Sequence, residues 1–251
     1  MADPRASTAT LKQDWEDLAE MDPFWAVLSD NTKRLDGWQA SDFFKTGTTE
    51  IAEVMNIASA LGYPAEHERV LDFGCGIGRI SRALRNYFES CTGVDNSSKM
   101  KERARELSPQ CDFVLSQQST LLQFPARHFD MIYSNIVLQH QRHVEDVWCY
   151  LSEFLRMLKD RGLLVFQLPH YIPIRYRIRP RQRLYHTLRA LGFTPQLLYR
   201  NLHLDPIRML AIPQPTVMKM IAEVRGCALQ VIEDKNGGPW IDSRTYYVTH
   251  R

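Results

Sequence analysis

The chain has 251 residues, a length that suits one domain with additions better than two full domains. Its 44% hydrophobic and 24% charged residues are ordinary for a globular protein and exclude a disordered or fibrous chain. Lys plus Arg number 31 against 29 Asp plus Glu, a formal charge of +2, so no global basic field points to nucleic acid.

The cysteines Cys75, Cys91, Cys111, Cys149 and Cys227 are scattered, odd in number and without a C-x-x-C pair. That pattern predicts reduced thiols in a cytosolic protein and neither a disulfide framework nor a zinc site. The first residues, Met-Ala-Asp-Pro-Arg-Ala-Ser-Thr, lack the apolar core of a secretory signal. No apolar run is long enough to span a bilayer, and a cytoplasmic location is expected.

In chain order, residues before about Leu11 read as a flexible tail, followed by short helices over Leu11–Glu20 and Pro23–Ser29. Asp22 is a candidate N-cap with Pro23 at the first helical position. Trp15, Trp25, Trp38, Phe43 and Phe44 make this arm aromatic enough to pack on the main domain and to be a candidate cover for a ligand. Thr48–Leu61 carries Ile51, Val54, Met55 and Ala58 at helical spacing and is stopped by Gly62. The arm is expected to occupy residues 1–62 and the main domain 63–251.

Strands and helices then alternate. Strands are predicted at Val70–Phe73, Cys91–Asp95, Cys111–Leu115, Phe129–Ser134 and Leu163–Leu168. Between them lie helices at Ile80–Phe88, at Ser97–Leu107 with Asn96 or Ser97 as cap, and at the amphipathic Val144–Leu158. Short apolar strands separated by helices imply a parallel sheet covered on both faces, and right-handed crossovers make it doubly wound. After Pro169 the alternation pauses over an insertion of about residues 170–213, rich in Arg, Tyr and Pro, with candidate helices at Leu184–Leu191 and Pro195–Leu202. It resumes with a helix at Pro215–Arg225 and strands at Ala228–Glu233 and Thr245–Thr249.

The stretch Val70-Leu71-Asp72-Phe73-Gly74-Cys75-Gly76-Ile77-Gly78-Arg79 reads as a buried strand, a glycine turn and the start of a helix. Glycine lets backbone approach a ligand closely and tolerates positive φ. A dinucleotide fingerprint would place its third glycine at position 79, which here is Arg. Asp72, two residues before the first glycine, is unfavourable beside a pyrophosphate but suits a ligand end that is cationic. S-adenosylmethionine, with an ammonium on its amino-acid end, fits better than a dinucleotide. A tight turn serving only helix–strand packing is the competing reading of the glycines.

With that motif stand Gly93-Val94-Asp95, then Phe129-Asp130-Met131-Ile132-Tyr133-Ser134 and Ile136-Val137-Leu138-Gln139-His140, and finally Leu155-Arg156-Met157-Leu158-Lys159 with Gly162-Leu163-Leu164. Over about Glu66–Leu168 this ordered set resembles the class I S-adenosylmethionine-dependent methyltransferases. The last helix and two strands resemble the ending of that family. The resemblance implies an α/β fold: a doubly wound, mostly parallel seven-stranded sheet with an antiparallel last strand. It also implies a methyltransferase that takes S-adenosylmethionine, releases S-adenosylhomocysteine and needs no metal.

Position by position, the resemblance gives Asp72 the methionine ammonium, and Gly74, Cys75, Gly76 and Gly78 the turn under the methionine and ribose. It gives Asp95 the ribose hydroxyls, where two carboxylate oxygens suit a vicinal diol. Asn96 and Met100 would flank the adenine. Gln117 stands where relatives often carry an Asp for the adenine amino group. Ser134 and Asn135 would lie beneath the methionine and ribose end. Turn capping or plain exposure is the alternative for Asn135 and Gln117.

A sulfonium methyl is already activated, so such an enzyme mainly aligns a nucleophile and excludes water. A base is needed only where the acceptor must lose a proton. His140 and His170, beyond the fourth and fifth strands, are the candidates for that role, and His140 is equally a candidate helix cap. His140 and His143 form an H-x-x-H without a third placed ligand, so no metal site is expected. In the insertion, Arg175, Arg177, Arg179, Arg181 and Arg183 alternate, which suggests an extended segment with one charged side. With Tyr171 these residues, Arg175, Arg177 and Arg179 foremost, are candidates to receive an anionic group on the acceptor. A solvated lid or a membrane- or partner-facing surface is the alternative. The reading is a methyltransferase acting on an O or N atom of a small-molecule or glycan-type acceptor. A nucleic-acid methyltransferase and a non-catalytic S-adenosylmethionine-binding regulatory subunit stand as its competitors.

Overall fold

The predicted strands pair into one sheet: β1 (Arg69–Phe73), β2 (Ser90–Asp95), β3 (Asp112–Leu115), β4 (Phe129–Ser134), β5 (Leu158–Tyr171), β6 (Gly226–Asp234) and β7 (Asp242–His250). The order is β3-β2-β1-β4-β5-β7-β6; β7 runs antiparallel to both neighbours, and the pairings from β3 through β5 are parallel. The structure, a computed structural model, describes residues 4–116, 121–234 and 240–251.

Because successive strand residues face opposite sides, one apolar run feeds two cores. Leu71, Ile132, Leu164 and Phe166 pack with α6 (Val144–Met157) and α10 (Gln214–Glu223). Val70, Met131, Tyr133, Leu163 and Val165 pack with α3 (Ala40–Leu61), α4 (Arg79–Leu84) and α5 (Ser98–Leu107). Burial on both faces explains why these strands read as continuous apolar runs. Asp130, 1% exposed, joins the strand starts: it accepts from Arg69 N–H at 2.8 Å and pairs with Lys159 at 2.8 Å.

The stretch expected to form the arm holds α1 (Pro4–Met21), α2 (Pro23–Val27) and α3. The helix begins at Pro4, where a flexible tail up to Leu11 was expected. Asp22 does cap α2, accepting from Trp25 N–H at 3.3 Å, and Gly62 ends α3 with a φ of +73°. A third apolar cluster joins Leu18, Trp25, Phe43 and Phe44 to Ile77 of the glycine turn and Met100 of α5.

The insertion holds α7 (Ile174–Ile178), α8 (Pro180–Ala190) and α9 (Pro195–Arg200). The alternating arginines therefore form no extended segment: Arg175 and Arg177 lie on α7, Arg181 and Arg183 on α8, and Arg179 joins the two helices. Pro180 at the first turn of α8 and the buried Tyr185, Leu198 and Leu204 impose helical packing that the arginine spacing does not reveal. Strand β5 also outruns its predicted limits, because β7 pairs with it as far as Tyr171.

Candidate cofactor and acceptor site

Strand order reverses between β1 and β4, and ligands in such sheets bind at the carboxyl ends of the strands flanking that point. The turn after β1 is fixed there by Gly74 N–H and Cys75 N–H, which donate to Val94 O at 2.8 and 3.0 Å. Gly74, Gly76 and Gly78 have φ of +78°, +52° and +84°, left-handed values that side chains resist. Space demands glycine as well. A Cβ on Gly74 would lie 2.2 Å from Val137, and one on Gly76 2.3 Å from Val27 of α2. The arm thus rests directly on the turn. Cys75 is buried in it, and burial pushes its thiol well above the usual range, so it is inert at neutral pH.

Asp72 is 3% exposed and accepts from Ser81 Oγ at 2.6 Å. Burial raises its carboxyl to about 7, against the pull of Ser81 and Arg79. Asp95 ends β2 partly exposed, with each oxygen already held by backbone: Gly76 N–H donates to Oδ2 at 2.8 Å and Ser97 N–H to Oδ1 at 2.9 Å. Burial raises its pKa while these N–H groups oppose the rise. A carboxylate oxygen accepts more than one hydrogen bond, so both retain capacity for a ligand diol in a fixed orientation.

Arg79, where a dinucleotide site would have glycine, is 3% exposed and braces the turn against α3 through Glu50 (2.9 Å) and Thr46 Oγ1 (3.3 Å). Glu50 also accepts from Tyr133 OH and from Asn135 Nδ2, both at 2.7 Å. Ser134 Oγ and Asn135 Oδ1 are buried without a partner among the described residues, and Ile136 beside them has a φ of +60°. Unpaired polar atoms and a strained β-branched residue together mark the end of β4 as built for more than packing. The residues present fit the chemistry of S-adenosylmethionine: a buried acid beside a glycine turn, a carboxylate at the end of β2 held by backbone N–H groups, and two buried oxygens with unmet hydrogen-bonding capacity among the described residues.

Arm and insertion roof this edge together. Glu16 of α1 accepts from Ser97 Oγ, Ser98 N–H and Lys99 N–H at 3.0, 2.7 and 3.3 Å, capping α5 from outside the helix. Met100, in that helix, is 2% exposed within the arm cluster. Asp22 accepts from Leu35 N–H (2.7 Å) and from Tyr199 OH of α9 (2.8 Å). Arg34 lies over the rings of Trp25 and Tyr199, 4.4 and 4.0 Å from their centroids. Asn96 sits between Asp95 and the Ser97 cap, partly exposed; Gln117 lies outside the described residues.

Beyond β4, His140 is 8% exposed and caps no helix; its Nδ1 lies 2.7 Å from the Arg208 carbonyl, to which it donates. Its ring meets Trp15 edge-on at 5.2 Å. Burial lowers its pKa to about 4, so it stays neutral. His170 Nδ1 accepts from Gln214 N–H at 2.8 Å, placing that ring at the start of α10. Tyr171 is 56% exposed, and Arg175 lies over the Tyr176 and Trp240 rings. Arg177 and Arg179 line a cavity of about 540 Å³ together with Arg183, His186 and Arg208. Sequence reading missed Glu16, Glu50 and Arg208. Each acts through a partner far along the chain, and no local spacing singles it out.

Residues 71–166 match the family model described as a methyltransferase domain. A trans-aconitate 2-methyltransferase from Enterobacter sp. (strain 638) is 38% identical over 103 residues, covering 40% of this chain and 38% of that protein. The chain spans about half or less of the curated relatives first matched. Among solved structures, magnesium protoporphyrin IX methyltransferase from Synechocystis PCC 6803, with bound S-adenosylhomocysteine, superposes with a TM-score of 0.63 at 16% identity, over 97% of this chain and 100% of that one. The N-methyltransferase NodS from Bradyrhizobium japonicum WM9, also with S-adenosylhomocysteine, gives 0.59 at 16% identity over 96% and 98%. The stretch over residues 71–166 is thus a methyltransferase domain, and the sheet that carries it has the fold of those structures.

Proposed function

We propose that the chain transfers the methyl group of S-adenosylmethionine to an oxygen or nitrogen of a small-molecule acceptor at the carboxyl edge of the sheet. The observation that carries this is the donor set at the ends of β1, β2 and β4: Asp72, the glycine turn, the backbone-pinned Asp95, and the orphaned oxygens of Ser134 and Asn135. The trans-aconitate methyltransferases among the relatives favour a small acceptor.

In this reading Asp72 holds the ammonium, Asp95 the ribose hydroxyls, and Ser134 and Asn135 the methionine and ribose end. When bound, S-adenosylmethionine supplies a methyl group on a cationic sulfur. The chain's own part is to orient and to exclude water: α2 and α9, locked through Asp22, Arg34 and Tyr199, cover the edge. His140 presents a neutral ring beside the acceptor space. With a pKa of about 4 it orients a nucleophile better than it removes a strongly held proton, which suits an acceptor atom that arrives already able to attack.

Titration calorimetry with S-adenosylmethionine and S-adenosylhomocysteine is expected to give one site for each. Absence of heat with both, from protein shown to be folded by circular dichroism, sinks the proposal.

A further inference from the structure

Between residues 170 and 204 the chain has seven arginines and no acidic residue. The fold gathers part of that charge. Arg177 of α7, Arg179 between α7 and α8, Arg183 and His186 from α8, and Arg208 from the segment after α9 all line the 540 Å³ cavity. Gln182, 7% exposed, fixes its wall by donating to Pro206 O at 2.8 Å.

Three observations indicate that this wall is built to receive something. Arg179 Nε and Arg208 Nε are buried without hydrogen-bond partners among the described residues. Arg179 itself has a φ of +55°, a left-handed backbone where one helix hands over to the next. Backbone strain and an unmet side-chain donor coincide on one residue. Finally, like charges crowd each other: burial, with Arg142 and Arg179 nearby, lowers Arg208 to about 10. Asp14 of α1 faces this group, 3.9 Å from His186, but burial lifts its carboxyl to about 7, so it supplies only part of a counter-charge at neutral pH. Crowded, partly buried guanidiniums are costly until an anion joins them, and their forked donors match carboxylate and phosphate oxygens.

The wall also connects to the proposed transfer site, since the carbonyl of Arg208 receives the His140 Nδ1–H at 2.7 Å. We propose that the cavity formed by Arg177, Arg179, Arg183 and Arg208 is an anion subsite that holds a carboxylate- or phosphate-bearing part of the acceptor beside His140. That the anion belongs to a methyl acceptor rests on the proposed methyl transfer; the anion site itself does not.

The test is calorimetry of citrate and of inorganic pyrophosphate into protein saturated with S-adenosylhomocysteine at low salt, for the wild type, Arg179→Gln, Arg208→Gln and Arg179→Lys. Saturable binding of either probe is expected, weakened at least tenfold in both Gln variants and partly restored by Lys. S-adenosylhomocysteine affinity should stay within twofold, which also shows that the variants are folded. Citrate binding alone assigns carboxylates, and pyrophosphate binding alone assigns phosphates. Equal probe affinity in wild type and Gln variants overturns the subsite, as does absence of saturable binding in protein that takes up S-adenosylhomocysteine. Arginine-dependent probe binding by protein that takes up no S-adenosylhomocysteine keeps the anion site and overturns methyl transfer.

Discussion

Asp95→Ala is expected to weaken S-adenosylhomocysteine binding by about 100- to 10,000-fold in calorimetry. Two hydrogen bonds from ribose hydroxyls to a carboxylate contribute about 1.5–3 kcal/mol each, and about 1.4 kcal/mol is a factor of ten. The loss has a second source within the chain. Asp95 accepts from Gly76 N–H at 2.8 Å and Ser97 N–H at 2.9 Å, so alanine frees the turn and the start of α5 together. Asp95→Asn keeps one acceptor oxygen and is expected to fall between wild type and alanine. A lower melting temperature with unchanged affinity would mean that Asp95 serves only the turn.

The affinity for S-adenosylmethionine is expected to rise with pH up to about 7 and then level off. Burial raises Asp72 from the ordinary 3.8 to about 7, so the unbound folded chain keeps a proton there that the unfolded chain releases. The stability contributed by that proton is present below about pH 4 and is lost as pH rises through about 7. A ligand ammonium favours the ionised form, so binding expels the proton below about pH 7, and affinity drops by up to about tenfold per pH unit of acidification. The charged and polar groups around the carboxyl, Ser81, Arg79 and Glu50, are in place before the ligand arrives. Asp72→Asn is expected to bind more weakly and with a flat profile between pH 5.5 and 8. Asp14, also raised to about 7, lies on the arm and is untouched by that substitution. A sloping profile that persists in Asp72→Asn would move the titrating group elsewhere.

Much of this site is legible in the sequence because its parts follow one another along the chain. Strand, glycines and acid occupy consecutive residues from Val70 to Gly78, and Asp95 closes the next strand. Local chemistry sets such features: positive φ calls for glycine, and a helix start calls for a capping residue such as Asp22 or Ser97. What escapes is set by distant partners. Glu16 looks like any surface acid of an amphipathic helix, yet it caps α5 from 82 positions away. Glu50 gains its role only when α3 brings it to Tyr133 and Asn135, and Arg208 only when its segment lies against His140. The alternating arginines mislead for the same reason. Their spacing suits an extended strand, but burial of Tyr185 and Leu198 folds them into helices that point some inward and leave Arg175 stacked outside on aromatic rings.

A crystal structure of the chain with S-adenosylhomocysteine tests the central claim most directly. The expected result places both ribose hydroxyls on Asp95, the amino-acid end between Asp72 and the turn of Gly74, Gly76 and Gly78, and new partners on Ser134 Oγ and Asn135 Oδ1. A ligand bound elsewhere, or one that leaves Asp95 without the ribose, would contradict it.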